Sequence, residues 1–136
     1  MTTELTYLLL TAILTGLLWI PAVLGQVQSR GMLKPENYVE LPEGGLVHWA
    51  KRADRAHKNA VENLSAFAAV VLIAHAIGYS TSLTATCAIV YFWARVAHAV
   101  VFIAGIKQFM ARTMLFSVSW AAFIIFAIAL LRQATV

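Results

Sequence analysis

Four apolar segments, each about twenty residues long, constrain the fold of this chain more than any other feature of the sequence. A helix needs roughly 20 apolar residues to cross the hydrocarbon layer of a bilayer. The segments are Leu5–Val27, Ala60–Tyr79 with a helical lead-in from about Leu46, Leu83–Ile106 and Met110–Leu131. Of the 136 residues, 61% are hydrophobic and 12% are charged, which excludes an ordinary soluble domain. We predict an all-α integral membrane protein, with residues 1–136 forming a single four-helix membrane domain.

Three sequence features refine this layout. Pro21 lies inside the first segment and is expected to kink it, because proline lacks the N–H that a helix hydrogen bond needs. The stretch Ser29–Gly45 contains two prolines and three glycines and is predicted to be a polar loop between the first two helices. Glu4 precedes the first apolar run and no basic residue does, so we expect a retained helix and not a cleaved signal peptide.

The basic residues indicate the orientation of the bundle. Those at the first and third connections are Arg30, Lys34, Lys51, Arg52, Arg55, Lys58, Lys107 and Arg112. Arg132 is the one basic residue on the other side. The positive-inside rule then predicts cytoplasmic basic loops, with both termini on the opposite side. The compact loops favour a bacterial inner membrane over the endoplasmic reticulum, although the basic pattern fits both.

Other ligand classes have little support in the sequence. The basic residues do not form one solvated stripe, so nucleic acid is not a predicted partner. The single cysteine, Cys87, rules out an internal disulfide and a cysteine-based metal site, and we expect no metal cofactor.

The second helix carries a narrow polar stripe. Arg52, Arg55, Asn59 and Glu62 follow at i, i+3, i+7 and i+10, which places them within an arc of about 80° on one face. Glu62 lies roughly 15 Å along the helix from Arg52, about halfway into the hydrocarbon. A lone carboxylate at that depth would be neutral or paired.

The third helix offers a partner for this carboxylate. Arg95 is the one formal charge in Leu83–Ile106, and it lies at a matching depth in an antiparallel neighbour. We therefore expect a Glu62–Arg95 ion pair, with His98 and Phe102 following on the same face. The alternative is that this pair does no more than fix helix packing, and that any one of the surface arginines Arg30, Arg52, Arg55 and Arg112 is an ordinary interfacial anchor.

Convergence of these donors also fits a site for a small polar anion. Guanidinium groups bind carboxylates, Asn59 suits an amide, and Glu62 suits an ammonium group. A ligand thiol close to Arg112 would have its pKa lowered, because a nearby cation favours the thiolate. Cys87 lies near the opposite membrane face, so any reacting sulfur must come from the ligand.

With these residues assembled, the chain resembles the MAPEG family, the membrane-associated proteins in eicosanoid and glutathione metabolism. The resemblance is carried by "RADRAHKNAVENLSAF" on helix two and "RVAHAVVFIAG" on helix three. It implies a homotrimer with active sites between subunits and glutathione as co-substrate. By position, it implies glutathione contacts at Arg55, Asn59 and Glu62, with Arg52 nearby and Arg30 as a looser match.

The resemblance also assigns roles on the third and fourth helices. Arg95 and His98 occupy matching positions, and Arg112 is the candidate for the arginine that stabilises the glutathione thiolate. Phe102 and Phe116 depart from the family pattern, because tyrosine is common at both positions. The loop from Gly105 to Arg112 also differs in length from that of well-studied relatives.

These observations lead to three hypotheses of function. The first is a membrane-bound glutathione transferase or peroxidase acting on lipophilic electrophiles that partition into the lipid. The second is a non-catalytic trimer, a scaffold or lipid-binding protein, that uses the same polar face for assembly. A transporter is third, since the sequence has no internal inverted repeat and no break at the midplane apart from Pro21.

Overall fold

The structure is a computed structural model that describes residues 1–40 and 44–134. Within them, every regular element is helical. The helices are α1 (Thr3–Leu17), α2 (Trp19–Arg30), α3 (His48–Ala76), α4 (Ser82–Ala104) and α5 (Ala111–Ala134). Short 3₁₀ turns occupy Pro35–Tyr38 and Gln108–Met110. With α1 and α2 counted together, four helices are long and apolar enough to span a membrane, which confirms the predicted all-α membrane fold.

The first span is divided, as Pro21 predicted. α1 ends at Leu17 and α2 begins at Trp19, with Leu18 between them still donating to the carbonyl of Leu14 at 3.0 Å. The Pro21 ring crowds the carbonyl four residues earlier, that of Leu17, which is the last residue of α1. The division therefore lies where proline chemistry requires it.

Turn residues end the central helices close to their predicted limits. α3 runs from His48 to Ala76, and Gly78 follows with a φ of 68°. Thr81 then caps α4, since its side chain accepts from the Thr84 N–H at 3.2 Å. α4 ends at Ala104, and Gly105 follows with a left-handed φ of 73°, a conformation that glycine adopts without steric cost.

Apolar packing is concentrated in one half of the bundle. α4 packs most extensively on α5, and α2 packs on α3. The main core cluster consists of Phe67, Val71, Ala74, Cys87, Ala88, Tyr91, Ala122, Phe126 and Leu130. Cys87 is buried there as a small apolar side chain. α2 and α3 approach closely, because a Cβ added to Gly25 would lie 2.5 Å from the Cβ of Ala50.

The loop between the first two spans contains a short 3₁₀ turn. The 3₁₀ turn at Pro35–Tyr38 lies inside the predicted loop Ser29–Gly45. The part of that prediction at residues 41–43 lies outside the described residues.

Candidate functional site

Arg52 ties the end of α4 to the start of α3. Its Nε donates to the carbonyl oxygen of Ile103 at 3.0 Å, one of the carbonyls that a helix leaves unpaired at its C-terminus. A Cβ added to Gly105 would lie 2.9 Å from both Cζ and Nε of Arg52. Glycine is therefore required here twice, for its positive φ and for the close approach of the guanidinium.

Arg95 is buried in the bundle and pairs with the polar stripe of α3. It is 4% exposed, and its Nη2 donates to Oδ1 of Asn59 at 2.7 Å. The expected ion pair between Arg95 and Glu62 is wrong. The predicted depth of Arg95 was close to correct, since its partner Asn59 lies less than one helical turn from Glu62.

Rotation about α3 explains the change of partner. The buried face of α3 is formed by Ala50, Ala53, Ala56, Ala60, Phe67, Val71 and Ala74. At 100° per residue, Asn59 lies about 100° from the centre of this face and Glu62 about 160° from it. Asn59 can therefore reach α4, whereas Glu62 points away from it.

Glu62 instead pairs with Arg55 along the same helix. Arg55 Nη1 lies 3.4 Å from Oε1 of Glu62, and both side chains are more than half exposed. An ion pair this exposed contributes at most about 1 kcal/mol. Its main effect is to hold Arg55 and Glu62 together on the outer side of the stripe.

One donor of Arg95 has no acceptor. Nη1 is buried and lacks a hydrogen-bond partner among residues 1–40 and 44–134. A buried charged donor without an acceptor is costly, about 1–3 kcal/mol or more. The guanidinium can therefore donate to one further acceptor, which the described residues do not supply.

A second set of polar contacts lies one helical turn from the Arg95–Asn59 pair. It was not singled out from the sequence. Asn63 Nδ2 donates to the carbonyl of Asn59 at 2.8 Å, and the Tyr91 hydroxyl donates to the carbonyl of Asn63 at 3.2 Å. The Tyr91 ring stacks on Phe67 at 3.8 Å. The signal was available in the spacing, since Asn63 follows Asn59 by four residues and Tyr91 precedes Arg95 by four.

Aromatic rings form the wall above Arg95. The His98 ring meets Phe102 edge to face at 5.5 Å and lies 6.0 Å from Phe116, so the predicted shared face of α4 is confirmed. The Arg112 guanidinium lies over the Phe102 ring at 4.6 Å, within cation–π range. Arg112 therefore reaches from α5 to the residues of α4.

Two adjoining cavities open among these side chains. The first, named the basic cavity, has a volume of about 340 Å³. Its lining residues are Arg55, Asn59, His98, Phe102, Arg112, Thr113 and Phe116. The second, named the loop cavity, has a volume of about 370 Å³. Its lining residues are Arg52, Val101, Phe102, Gly105, Ile106, Lys107, Met110, Arg112 and Thr113.

The two cavities share one wall and one sign of charge. Phe102, Arg112 and Thr113 line both, and Thr113 was not predicted from the sequence. Among the described residues, neither lining includes an aspartate or glutamate. Cationic walls without carboxylates attract anions. The described part of the chain holds no group of three His, Cys, Asp or Glu side chains suited to a metal ion.

Arg30 is separated from these cavities. Its Nε donates to the carbonyl of Gly44 at 2.9 Å, so it holds the first loop against the end of α2. Neither cavity includes Arg30 in its described lining. The structure thus brings together seven of the nine candidate residues, namely Arg52, Arg55, Asn59, Arg95, His98, Phe102 and Arg112, and leaves Glu62 at the edge and Arg30 apart.

Comparison with protein families gives a match that spans most of the chain. A model of the MAPEG family fits residues 5–132, nearly the whole chain. The chain belongs to the MAPEG family. A search of curated proteins finds no match. Membership supports, in general terms, a membrane function of the glutathione-related transferase or peroxidase type, and MAPEG proteins generally use glutathione and assemble as trimers.

Proposed function

We propose that this MAPEG protein is a glutathione-dependent transferase or peroxidase acting on lipophilic electrophiles. The observation that carries the proposal is the basic cavity, whose lining residue Asn59 accepts a hydrogen bond from buried Arg95. A cavity lined by two arginines and one asparagine suits a small peptide-like anion. Glutathione has that chemistry, because it carries two carboxylates, two amides, an ammonium group and a thiol.

Each side chain of the site has a definite part in binding. Arg55 and Arg95 pair with carboxylates of the ligand, and Asn59 hydrogen-bonds an amide. Glu62 receives the ammonium group, for which its exposed carboxylate at the edge of the stripe is suited. Arg52 adds positive charge from the loop cavity, where it is already fixed by Ile103.

Arg112 acts on the sulfur. Its guanidinium lies at the wall between the two cavities, where a cation would favour the thiolate over the thiol. In a transfer reaction, the thiolate forms a C–S bond to the electrophilic carbon, and the leaving group departs with the displaced electron pair. In a peroxidase reaction, the sulfur attacks a peroxide oxygen and the O–O bond breaks with release of an alcohol. The attacked oxygen stays on the sulfur as a hydroxyl group. A second glutathione thiol then displaces it as water to give the disulfide.

The apolar reactant enters from the bilayer. The loop cavity joins basic groups to Val101, Ile106 and Met110. An electrophile dissolved in lipid is thereby held next to a charged thiol, which raises their effective concentration. We propose a homotrimer in which the outer side of the stripe, Arg55 and Glu62, faces a neighbouring protomer. We place the protein in a bacterial inner membrane with the basic connections in the cytoplasm.

The test is titration of the purified protein with glutathione, followed by calorimetry and by the ultraviolet absorbance of the thiolate. We expect binding heat and a thiolate signal at neutral pH in the wild type. Arg112→Ala should keep the binding heat, lose the thiolate signal and lower kcat/KM about a hundredfold, as removal of one stabilising donor does elsewhere. Arg112→Lys should restore part of the signal, and Lys51→Ala, an exposed cation outside both cavities, should behave like the wild type.

A non-catalytic trimer is the second candidate, and one observation favours it. Phe102 and Phe116 lack the hydroxyls that are common at these positions in the family, and Arg112 already has the Phe102 ring as a partner. On this view Arg112→Ala changes nothing measurable, whereas Glu62→Ala dissociates the trimer. Sedimentation of both variants, together with an absence of binding heat, would establish this alternative.

A further inference from the structure

A third cavity lies at the end of the bundle away from the polar stripe. It has a volume of about 250 Å³ and lies where the start of α1 meets the end of α3. Its lining residues are Thr2, Glu4, Val71, Ala74, His75, Gly78, Tyr79 and Ser80. The MAPEG site and the proposed glutathione chemistry involve none of them.

The cavity wall includes a buried carboxylate. Glu4 is 3% exposed, although it belongs to the first turn of α1. The Thr84 hydroxyl donates to Oε1 at 2.5 Å, and the Ser80 hydroxyl lies 2.9 Å from Oε1 and 3.1 Å from Oε2. These contacts join α1 to α4 and fix the direction of the carboxylate.

Glu4 is held by neutral donors. The hydroxyls of Thr84, Ser80 and Thr2 and the N–H of Glu4 itself stabilise the carboxylate. Oε2 receives only a share of the Ser80 hydrogen. Among the residues that the structure describes, no ion pair involves Glu4. The carboxylate therefore has no cationic partner, and Oε2 is the oxygen that can accept from one.

Helix termini determine what kind of donor fits. The N-terminal ends of α1 and α4 meet at Glu4 and favour its ionised form through their dipoles. On the other side of the cavity, α3 ends at Ala76, and its last carbonyls carry partial negative charge. An ionised carboxylate facing a helix C-terminus across an open space attracts a cation.

We propose that this cavity binds the primary ammonium group of an amphiphile. Glu4 Oε2 accepts from the ammonium, which has three N–H donors, and the methylenes next to the nitrogen lie on Val71 and Ala74. A quaternary ammonium has no N–H and does not satisfy the carboxylate. Because the cavity lies at the end of the spanning helices, the ammonium belongs either to a lipid headgroup or to a free amine.

Lipid retention measured by native mass spectrometry tests the proposal. Delipidated protein is offered an equimolar mixture of phosphatidylethanolamine and phosphatidylcholine with identical acyl chains. We expect phosphatidylethanolamine adducts to exceed phosphatidylcholine adducts about fivefold, the value of about one net hydrogen bond. Glu4→Gln keeps the shape and the hydroxyl contacts but removes the charge, and it should equalise the two lipids. Glu36→Gln makes the same change at an exposed site in the first loop and should keep the preference.

Two further arms use the wild type alone, so the test does not depend on folding of the variant. Retention should fall stepwise across the mono- and dimethylated phosphatidylethanolamines as N–H donors are lost. Displacement of the lipid by ethylammonium chloride, but not by tetramethylammonium chloride, identifies a free amine as an acceptable source. Retention that ethylammonium leaves unchanged identifies the lipid headgroup. Equal retention of all the lipids, or a preference that persists in Glu4→Gln, overturns the proposal.

Discussion

The two halves of the bundle are held together by different interactions. In the packed half, the core cluster around Phe67, Tyr91 and Phe126 joins α3, α4 and α5 through apolar contacts. In the site half, the apolar cluster comprises only Leu18, Ala60 and Ala99 among the described residues. There two polar contacts join α3 to α4, from Arg52 to Ile103 and from Arg95 to Asn59.

This difference explains why the two large cavities lie in the site half. A dense apolar core leaves few voids larger than a water molecule. Long guanidinium side chains join helices at a greater distance, and the space between them is lined by their charges. The site half is therefore less tightly packed and contains charged cavities. The packed half supplies the rigidity on which these cavities depend.

The largest predicted effect belongs to the packed half. Phe126 is fully buried, and Phe126→Ala should lower the free energy of unfolding by about 3 kcal/mol, the lower end of the range for such truncations. Lipid is as apolar as the core, so the loss comes from the void and not from transfer to water. Unfolding in mixed micelles gives the value. Phe123→Ala, at a half-buried neighbour, should cost less, and an equal cost would show that Phe126 is not the centre of the packing.

The next largest effect tests the contact between the helix ends. Gly105→Ala places a Cβ against the Arg52 guanidinium at a residue with a positive φ. We expect a loss of about 1–2 kcal/mol in the free energy of unfolding, because alanine is strained there and Arg52 must move. Gly45→Ala is the control, since an added Cβ meets nothing within 4 Å. Similar losses for the two variants would remove the role assigned to the Arg52 contact.

The sequence predicted the fold more completely than it predicted the site. Hydrophobic length determines a spanning helix almost by itself, and Pro21 determines where the first span divides, so these features were read correctly, whereas the third helix ends at Ala104, two residues before the predicted limit. The Glu62–Arg95 pair was predicted wrongly because depth follows from residue count, whereas the facing direction depends on how α3 rotates against α4. Thr113 was missed because a threonine in an apolar helix gives no signal until the neighbouring helix is in place.

A gain of function tests the aromatic wall. Phe102→Tyr adds the hydroxyl that is common at this position in the family, while its ring can still contact Arg112. We expect about fivefold tighter glutathione binding, equivalent to one net hydrogen bond of about 1 kcal/mol. Isothermal calorimetry measures the change. Phe92→Tyr, on the same helix but outside both cavities, should leave affinity unchanged, and weaker binding in Phe102→Tyr would mean that the ligand does not approach this ring.

The smallest predicted effect concerns Arg30. The family resemblance implies a ligand contact there, but in this chain Arg30 donates to Gly44 and lies outside both cavities in the described lining. If that contact is its main role, Arg30→Ala should change glutathione affinity less than twofold, because an exposed side chain far from the ligand contributes through screened charge alone.

One result would reverse this expectation and also locate the missing part of the site. Arg30 lies at the end of α2 and does not reach the basic cavity of its own chain. In an oligomer, it can lie next to the basic cavity of a neighbouring protomer. Arg30→Ala would then weaken binding more than tenfold in the assembled oligomer. Mixing Arg30→Ala protomers with Arg55→Ala protomers would restore a fraction of intact sites, as expected only when the two arginines act from different chains.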